Sequence, residues 1–167
     1  CNGCPAGTNV PAGWSCIPAG EFTMGRPDVE DGRRADEGPQ HQVTITRAFL
    51  MMTTEVTQAE WATVFEINPS RNAGCAQGPV ETVDWFEAVA YANALSQAQE
   101  LGECYELEDC DGAPGERMSC NAEVAFAGVG CNGYRLPTEA EWEDARRAET
   151  ATAYCTGDDA SDLDPVG

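Results

Sequence analysis

The sequence predicts an α+β domain with much irregular chain. Three observations carry this. Three segments open with the same helix-start signature, one central segment alternates as a strand, and helices and strands do not follow the β-α-β order that builds a parallel sheet. No internal repeat is visible, and 167 residues suit one domain.

The helix starts share a physical cause. Thr57, Asp84 and Thr138 each stand three residues before a glutamate, Glu60, Glu87 and Glu141. Such a residue caps the third helical amide, and the glutamate reaches back to the cap's own amide. Pro137 disfavours an earlier start for the third helix. The first helix is expected to end before Asn68-Pro69-Ser70. The second is the longest, ending near Gln99, with Trp85, Ala88, Val89, Ala92, Leu95 and Ser96 on one face. The third runs from Glu139 to Ala148. Trp61, Trp85 and Trp142 lie within the first turns and are expected as core anchors, with a carbohydrate or substrate platform as the alternative.

Glu21 to Gly25 reads as a short strand. Residues 26–40, with almost nothing apolar, read as a surface loop. From His41 to Arg47, Val43 and Ile45 fall on one face and Gln42, Thr44 and Thr46 on the other, which predicts a half-buried strand. Ala48 to Glu55 is expected to extend into another. Residues 1–16 form a Cys/Pro/Gly-rich N-terminal segment and 17–167 the domain proper. Cys104 to Leu107 and Gly133 to Leu136 are expected as short strands at the ends of a cysteine-tied excursion.

Composition excludes several function classes. The formal net charge is −20, from 29 acids and nine bases, all arginine. Nucleic-acid binding needs a basic stripe to displace counterions, so no nucleic-acid partner is expected. No apolar run reaches the roughly 18–20 residues of a membrane span. The chain is 42% hydrophobic, too apolar for a merely solvated chain.

Nine cysteines point to an oxidising compartment, hence a secreted, cell-surface or periplasmic protein. Zinc is the competing reading, but only one C-x-x-C (Cys1 to Cys4) and one histidine are present. Local spacing favours Cys4–Cys16 and Cys110–Cys120, with Cys104–Cys131 closing an outer loop around the latter. Cys1, Cys75 and Cys155 are left without assigned partners. Cys1 is a candidate for a lipid anchor if it is a processed terminus.

Candidate chemistry is sparse. His41 is the sole possible imidazole base, and no nucleophile elbow or phosphate loop occurs. Arg135 is expected to pair with Glu139 or with a backbone carbonyl, a role that its planar fork of donors suits. Three acidic stretches offer oxygens to Ca²⁺: Asp28-x-Glu30-Asp31, Glu108-Asp109-x-Asp111, and Asp158, Asp159, Asp162 and Asp164. The last, in a Gly-bounded tail, suits wrapping an ion best. None has the twelve-residue EF-hand spacing, and a solvated acidic loop is the competing reading of each.

Six motifs taken in order carry a resemblance. They are Ile17-Pro18-Ala19-Gly20-Glu21-Phe22-Thr23-Met24-Gly25; Pro39-Gln40-His41-Gln42-Val43; Thr54-Glu55-Val56-Thr57-Gln58-Ala59-Glu60-Trp61; Asn68-Pro69-Ser70; Pro79-Val80-Glu81-Thr82-Val83-Asp84-Trp85; and Gly133-Tyr134-Arg135-Leu136-Pro137-Thr138-Glu139-Ala140-Glu141-Trp142-Glu143. With them the sequence resembles the formylglycine-generating enzyme, or sulfatase-modifying factor, family. The resemblance implies a C-type-lectin-like α+β fold. It also implies a range of activities: copper- and O₂-dependent oxidation of a substrate Cys to formylglycine, iron-dependent relatives, and non-catalytic binding or display proteins.

The family's later motifs, Gly-Asn-x-Trp-Glu-Trp, Arg-Gly-Gly-Ser, the reactive cysteine pair and the usual calcium ligands, do not occur in these residues. The sequence is therefore expected to be the N-terminal part of such a domain, with no catalytic residue carried over. It is expected to be a binding or assembly module, or alternatively part of an oxidase or non-haem iron oxygenase whose reactive half lies elsewhere. Copper belongs only to that missing half. A protein partner, self-assembly or the C-terminal half is expected to cover exposed apolar faces.

Overall fold

The computed structural model describes residues 4–28, 34, 37–121 and 123–147. It divides into two compact units, one from Cys1–Thr53 with Pro137–Gly167 and one of Thr54–Leu136.

The first unit contains two antiparallel strand pairs and a helix. β1 (Trp14–Ile17) pairs with β4 (Phe49–Met52), Trp14 opposite Met52. β2 (Gly20–Met24) pairs with β3 (His41–Ile45), Gly20 opposite Ile45. The alternation read from the sequence holds, with Val43 and Ile45 turned inward and Gln42 and Thr44 exposed. β1 was not foreseen in the sequence. Its strand crosses residues 16 and 17, and the Cys4–Cys16 bridge fastens it. The third helix spans Glu139–Arg147; Thr138 Oγ1 accepts from the Glu141 amide at 3.2 Å and Glu141 Oε2 from the Thr138 amide at 2.8 Å.

The second unit holds the other two helices, α1 (Gln58–Trp61) and α2 (Trp85–Ala98), so the Glu139–Arg147 helix is α3. Thr57 and Asp84 cap α1 and α2 with reciprocal Glu60 and Glu87 bonds. All three predicted capping boxes therefore form. Beyond α2 the chain makes two nested strand pairs. β5 (Tyr105–Glu106) pairs with β8 (Ala125–Phe126), and β6 (Cys110–Asp111) with β7 (Ser119–Cys120). The bridges nest in the same way, Cys104–Cys131 outside Cys110–Cys120.

The core of this unit contains Val89, Ala92, Cys104 and Tyr105, with Leu107, Val124, Tyr134 and Leu136 packed against it. Trp61 is 1% exposed and stacks on Tyr91 at 5.3 Å. Two expectations are overturned here. Trp85 is 50% exposed and Trp142, in the first unit, 51%, so neither is a core anchor. Gly133 to Leu136 forms no strand, because its amides bond to side chains: Tyr134 N donates to Ser96 Oγ (2.8 Å) and Leu136 N to Tyr105 Oη (3.0 Å).

Candidate functional site

Helix α2 determines what the second unit can present. Its buried set is Glu87, Val89, Ala90, Tyr91, Ala92, Asn93 and Ser96, not the apolar stripe expected from spacing. The three polar members grip irregular backbone. Glu87 is 1% exposed; its Oε1 accepts from the amides of Gly115 (2.8 Å), Arg117 (3.0 Å) and Met118 (3.4 Å), and its Oε2 from the Asp84 amide at 3.0 Å. A buried carboxylate is tolerated when donors surround it in this way. Asn93 donates to the Tyr105 carbonyl at 2.7 Å and accepts from the amides of Cys104 and Tyr105, both at 3.2 Å. Ser96 takes the Tyr134 amide while donating back to the Ala92 carbonyl at 2.8 Å.

Glycine is required where this packing is closest. A Cβ at Gly133 would lie 2.0 Å from the Gly102 carbonyl oxygen and 2.7 Å from Ser96 Oγ. At Gly115, φ is +93° and a Cβ would meet the Ile67 carbonyl at 2.4 Å.

This rack leaves an aromatic face exposed. Trp85 meets Phe86 (5.5 Å, 80°) and Tyr105 (6.2 Å, 80°) edge to face. Tyr105 stacks on its cross-strand partner Phe126 at 5.2 Å, and Phe126 is 43% exposed. The rings are mutually braced, yet two of them present broad surface to solvent. The three tryptophans do not form one platform, since Trp61 is buried; Trp85 is exposed beside other rings. Phe126 went unnoticed in the sequence because a two-residue strand has no readable period.

An open cleft of about 450 Å³ lies beside the start of α1, lined by Thr54, Glu55, Thr57, Glu60, Thr63 and Gln77 among others. Glu60 Oε2 is already engaged there by the Thr57 amide and hydroxyl, each at 2.8 Å. Burial, then the Glu60 carboxylate, pushes the Tyr91 hydroxyl up to about 12. A hydrogen bond from the Thr82 hydroxyl, then one from the Asn72 amide, lowers the Glu81 carboxyl.

The other sequence candidates scatter. His41 is exposed at the start of β3, its Nδ1 3.1 Å from the Pro39 carbonyl. Arg135 bonds the Leu136 carbonyl at 3.1 Å, the backbone option foreseen for it. Cys4, Cys16, Cys104, Cys131, Cys110 and Cys120 are bridged, and Cys75 is free and exposed. Among the described residues no three His, Cys, Asp or Glu side chains converge as metal ligands, so Glu108, Asp109 and Asp111 are not gathered around an ion. Asp158, Asp159, Asp162 and Asp164, with Cys1, Cys155, Glu30 and Asp31, lie outside the described residues. No helix among the described residues is long and apolar enough to cross a membrane.

Known proteins are similar to this chain in sequence and fold. A formylglycine-generating enzyme of Mycobacterium tuberculosis is 30% identical over 167 residues, covering 85% of this chain and 54% of that enzyme. Chaperone protein LppX of Paenibacillus barcinonensis is 39% identical over 92 residues, 53% of this chain and 32% of that protein. The chain thus spans about half or less of the length of these curated relatives. Among solved structures, Treponema denticola variable protein 1 superposes with a TM-score of 0.70 at 27% identity, covering 90% of this chain and 58% of that one. The lectin-like α+β fold read from the motifs is therefore the fold observed. Residues 5–167 match the family described as sulfatase-modifying factor enzyme 1-like domain, and the chain belongs to that family.

Proposed function

We propose that these residues form a secreted, disulfide-held binding or assembly module, using the sulfatase-modifying-factor fold without its oxidative chemistry. The observation that carries this reading is where the sulfur goes. Six of the seven described cysteines are bridged, and the seventh, Cys75, stands alone among them. Copper held by a pair of thiolates does not fit the described residues. Histidine-ligated iron does not fit either, because the single histidine, His41, sits on an exposed strand. The buried carboxylates Glu87 and Glu141 hold backbone amides instead of facing a cavity. Bridges of this kind persist in oxidising compartments, which supports secretion.

A second reading is favoured by the identity to a formylglycine-generating enzyme across 85% of this chain. In it, these residues scaffold an O₂-dependent oxidase whose reactive centre lies on other residues. Incubating the full natural polypeptide that carries these residues with Cu(I), O₂ and a Cys-bearing peptide separates the two readings. The module reading expects the peptide thiol to survive, and an aldehyde captured by hydrazide above the copper-only blank overturns it. Calcium at Asp158, Asp159, Asp162 and Asp164 belongs to the same proposal. It predicts a higher melting temperature in millimolar Ca²⁺, and an unchanged one contradicts it.

A further inference from the structure

Resting on the binding-module reading, we infer that the aromatic face of Trp85, Tyr105 and Phe126 receives a cationic segment of a protein partner, one presenting arginine or lysine side chains. The face is exposed but ordered: Trp85 is 50% and Phe126 43% exposed, while Tyr105 between them is 7% exposed and braces both rings. Rings fixed before binding lose little conformational entropy when a partner covers them.

Charge selects the occupant. Between residues 54 and 136, fourteen acids stand against three arginines, in a chain of net charge −20 without lysine. Asp84 directly precedes Trp85. Glu106 and Glu123 are exposed nearby, with Glu106 and its partner Ala125 on the sheet face opposite Tyr105 and Phe126, so their charge acts at longer range. An aromatic face carries negative potential and attracts a cation, more so in a unit with this excess of acids. An anionic ligand is repelled. A neutral sugar can stack on the rings but gains nothing from the charge. The chain already shows the pairing, since Arg146 Cζ lies 5.8 Å from the centre of the Trp142 ring. Attraction of this kind also speeds encounter, with a strong dependence on salt.

The test titrates the whole protein with a peptide of alternating Arg and Gly, its Glu-Gly counterpart, and a neutral oligosaccharide, read by calorimetry. Saturable binding of the Arg peptide alone is expected. Trp85→Ala and Phe126→Ala should each weaken it roughly three- to thirtyfold, Trp85→Phe should restore most of the affinity, and Trp142→Ala should leave it unchanged. Both target side chains are surface positions, and an unchanged circular-dichroism spectrum confirms that the variants fold. Equal binding by wild type and both alanine variants overturns the assignment, because diffuse charge attraction would then suffice. Binding of the oligosaccharide alone, or of nothing, also overturns it. Each of those results leaves the module reading standing, which falls only if the protein oxidises the Cys peptide.

Discussion

Helices α2 and α3 start with the same capping device but hold irregular chain differently. In the second unit, α2 buries Glu87, Asn93 and Ser96, which hold the amides and carbonyls of the disulfide-tied excursion and the segment after it. In the first unit, α3 buries only Glu141, which serves its own cap. Its part-buried ion pair grips one glycine: Glu143 Oε1 accepts from the Gly25 amide at 2.8 Å, and Arg147 Nη2 donates to the Gly25 carbonyl at 2.9 Å and to Glu143 at 2.7 Å. Gly25 has φ +92°, and a Cβ there would lie 2.9 Å from the Glu37 carbonyl. The difference teaches that buried polar side chains can anchor a segment whose own strand pairs are only two residues long, at the risk that every unmade bond is costly.

Four substitutions sharpen or break this comparison. Gly133→Ala should have the largest effect, because its methyl meets backbone as well as Ser96; a loss of about 3 kcal/mol or more is expected from overpacking. A loss under about 1 kcal/mol in urea unfolding would show that the α2 rack is loose. Glu87→Ala should cost about 2–3 kcal/mol, since it strands amides under the excursion, with Glu87→Gln intermediate. Hydrogen exchange should rise first at Gly115, Arg117 and Met118; uniform exchange would contradict the local role. Glu143→Ala should cost only about 0.5–1 kcal/mol and less in high salt, as partly exposed pairs do. A loss equal to that of Glu87→Ala removes the contrast.

The smallest effect is a pH dependence. The Tyr91 hydroxyl is raised from 10.0 to about 12 on folding. The folded state therefore holds this proton more tightly than the unfolded one. Its contribution to stability is fully present below pH 10 and is lost as pH rises toward 12. Tyr91→Phe should flatten that alkaline limb, and an unchanged limb would assign it to other groups.

Much of the scaffold was legible because capping and alternation are local. Thr57, Asp84 and Thr138 announce their helices within four residues, and Val43 and Ile45 mark one face of β3. Cys4–Cys16 and Cys110–Cys120 follow from close cysteine spacing, and Cys104–Cys131 from closing the loop outside the latter. What stayed hidden is tertiary. β1 carries only four residues and needs β4 to exist. β6, β7 and β8 are two residues each, too short for any period. Gly133 to Leu136 has strand-like composition, but its amides are claimed by Ser96 and Tyr105. The exposure of Trp85 and Trp142 was not readable either: Trp142 occupies the same helical position as the buried Trp61, and only Trp61 finds Phe65 and Tyr91 beside it. The polar grip of Glu87 was masked by its second role as a capping-box residue.

The binding-module proposal requires the described cysteines to be structural staples and not a reactive pair. Alkylation of the native protein followed by non-reducing peptide mapping tests it most directly. Linked peptides are expected for Cys4–Cys16, Cys104–Cys131 and Cys110–Cys120, with Cys75 alkylated. Alkylation of any of those six cysteines, or a different pairing among them, would contradict it.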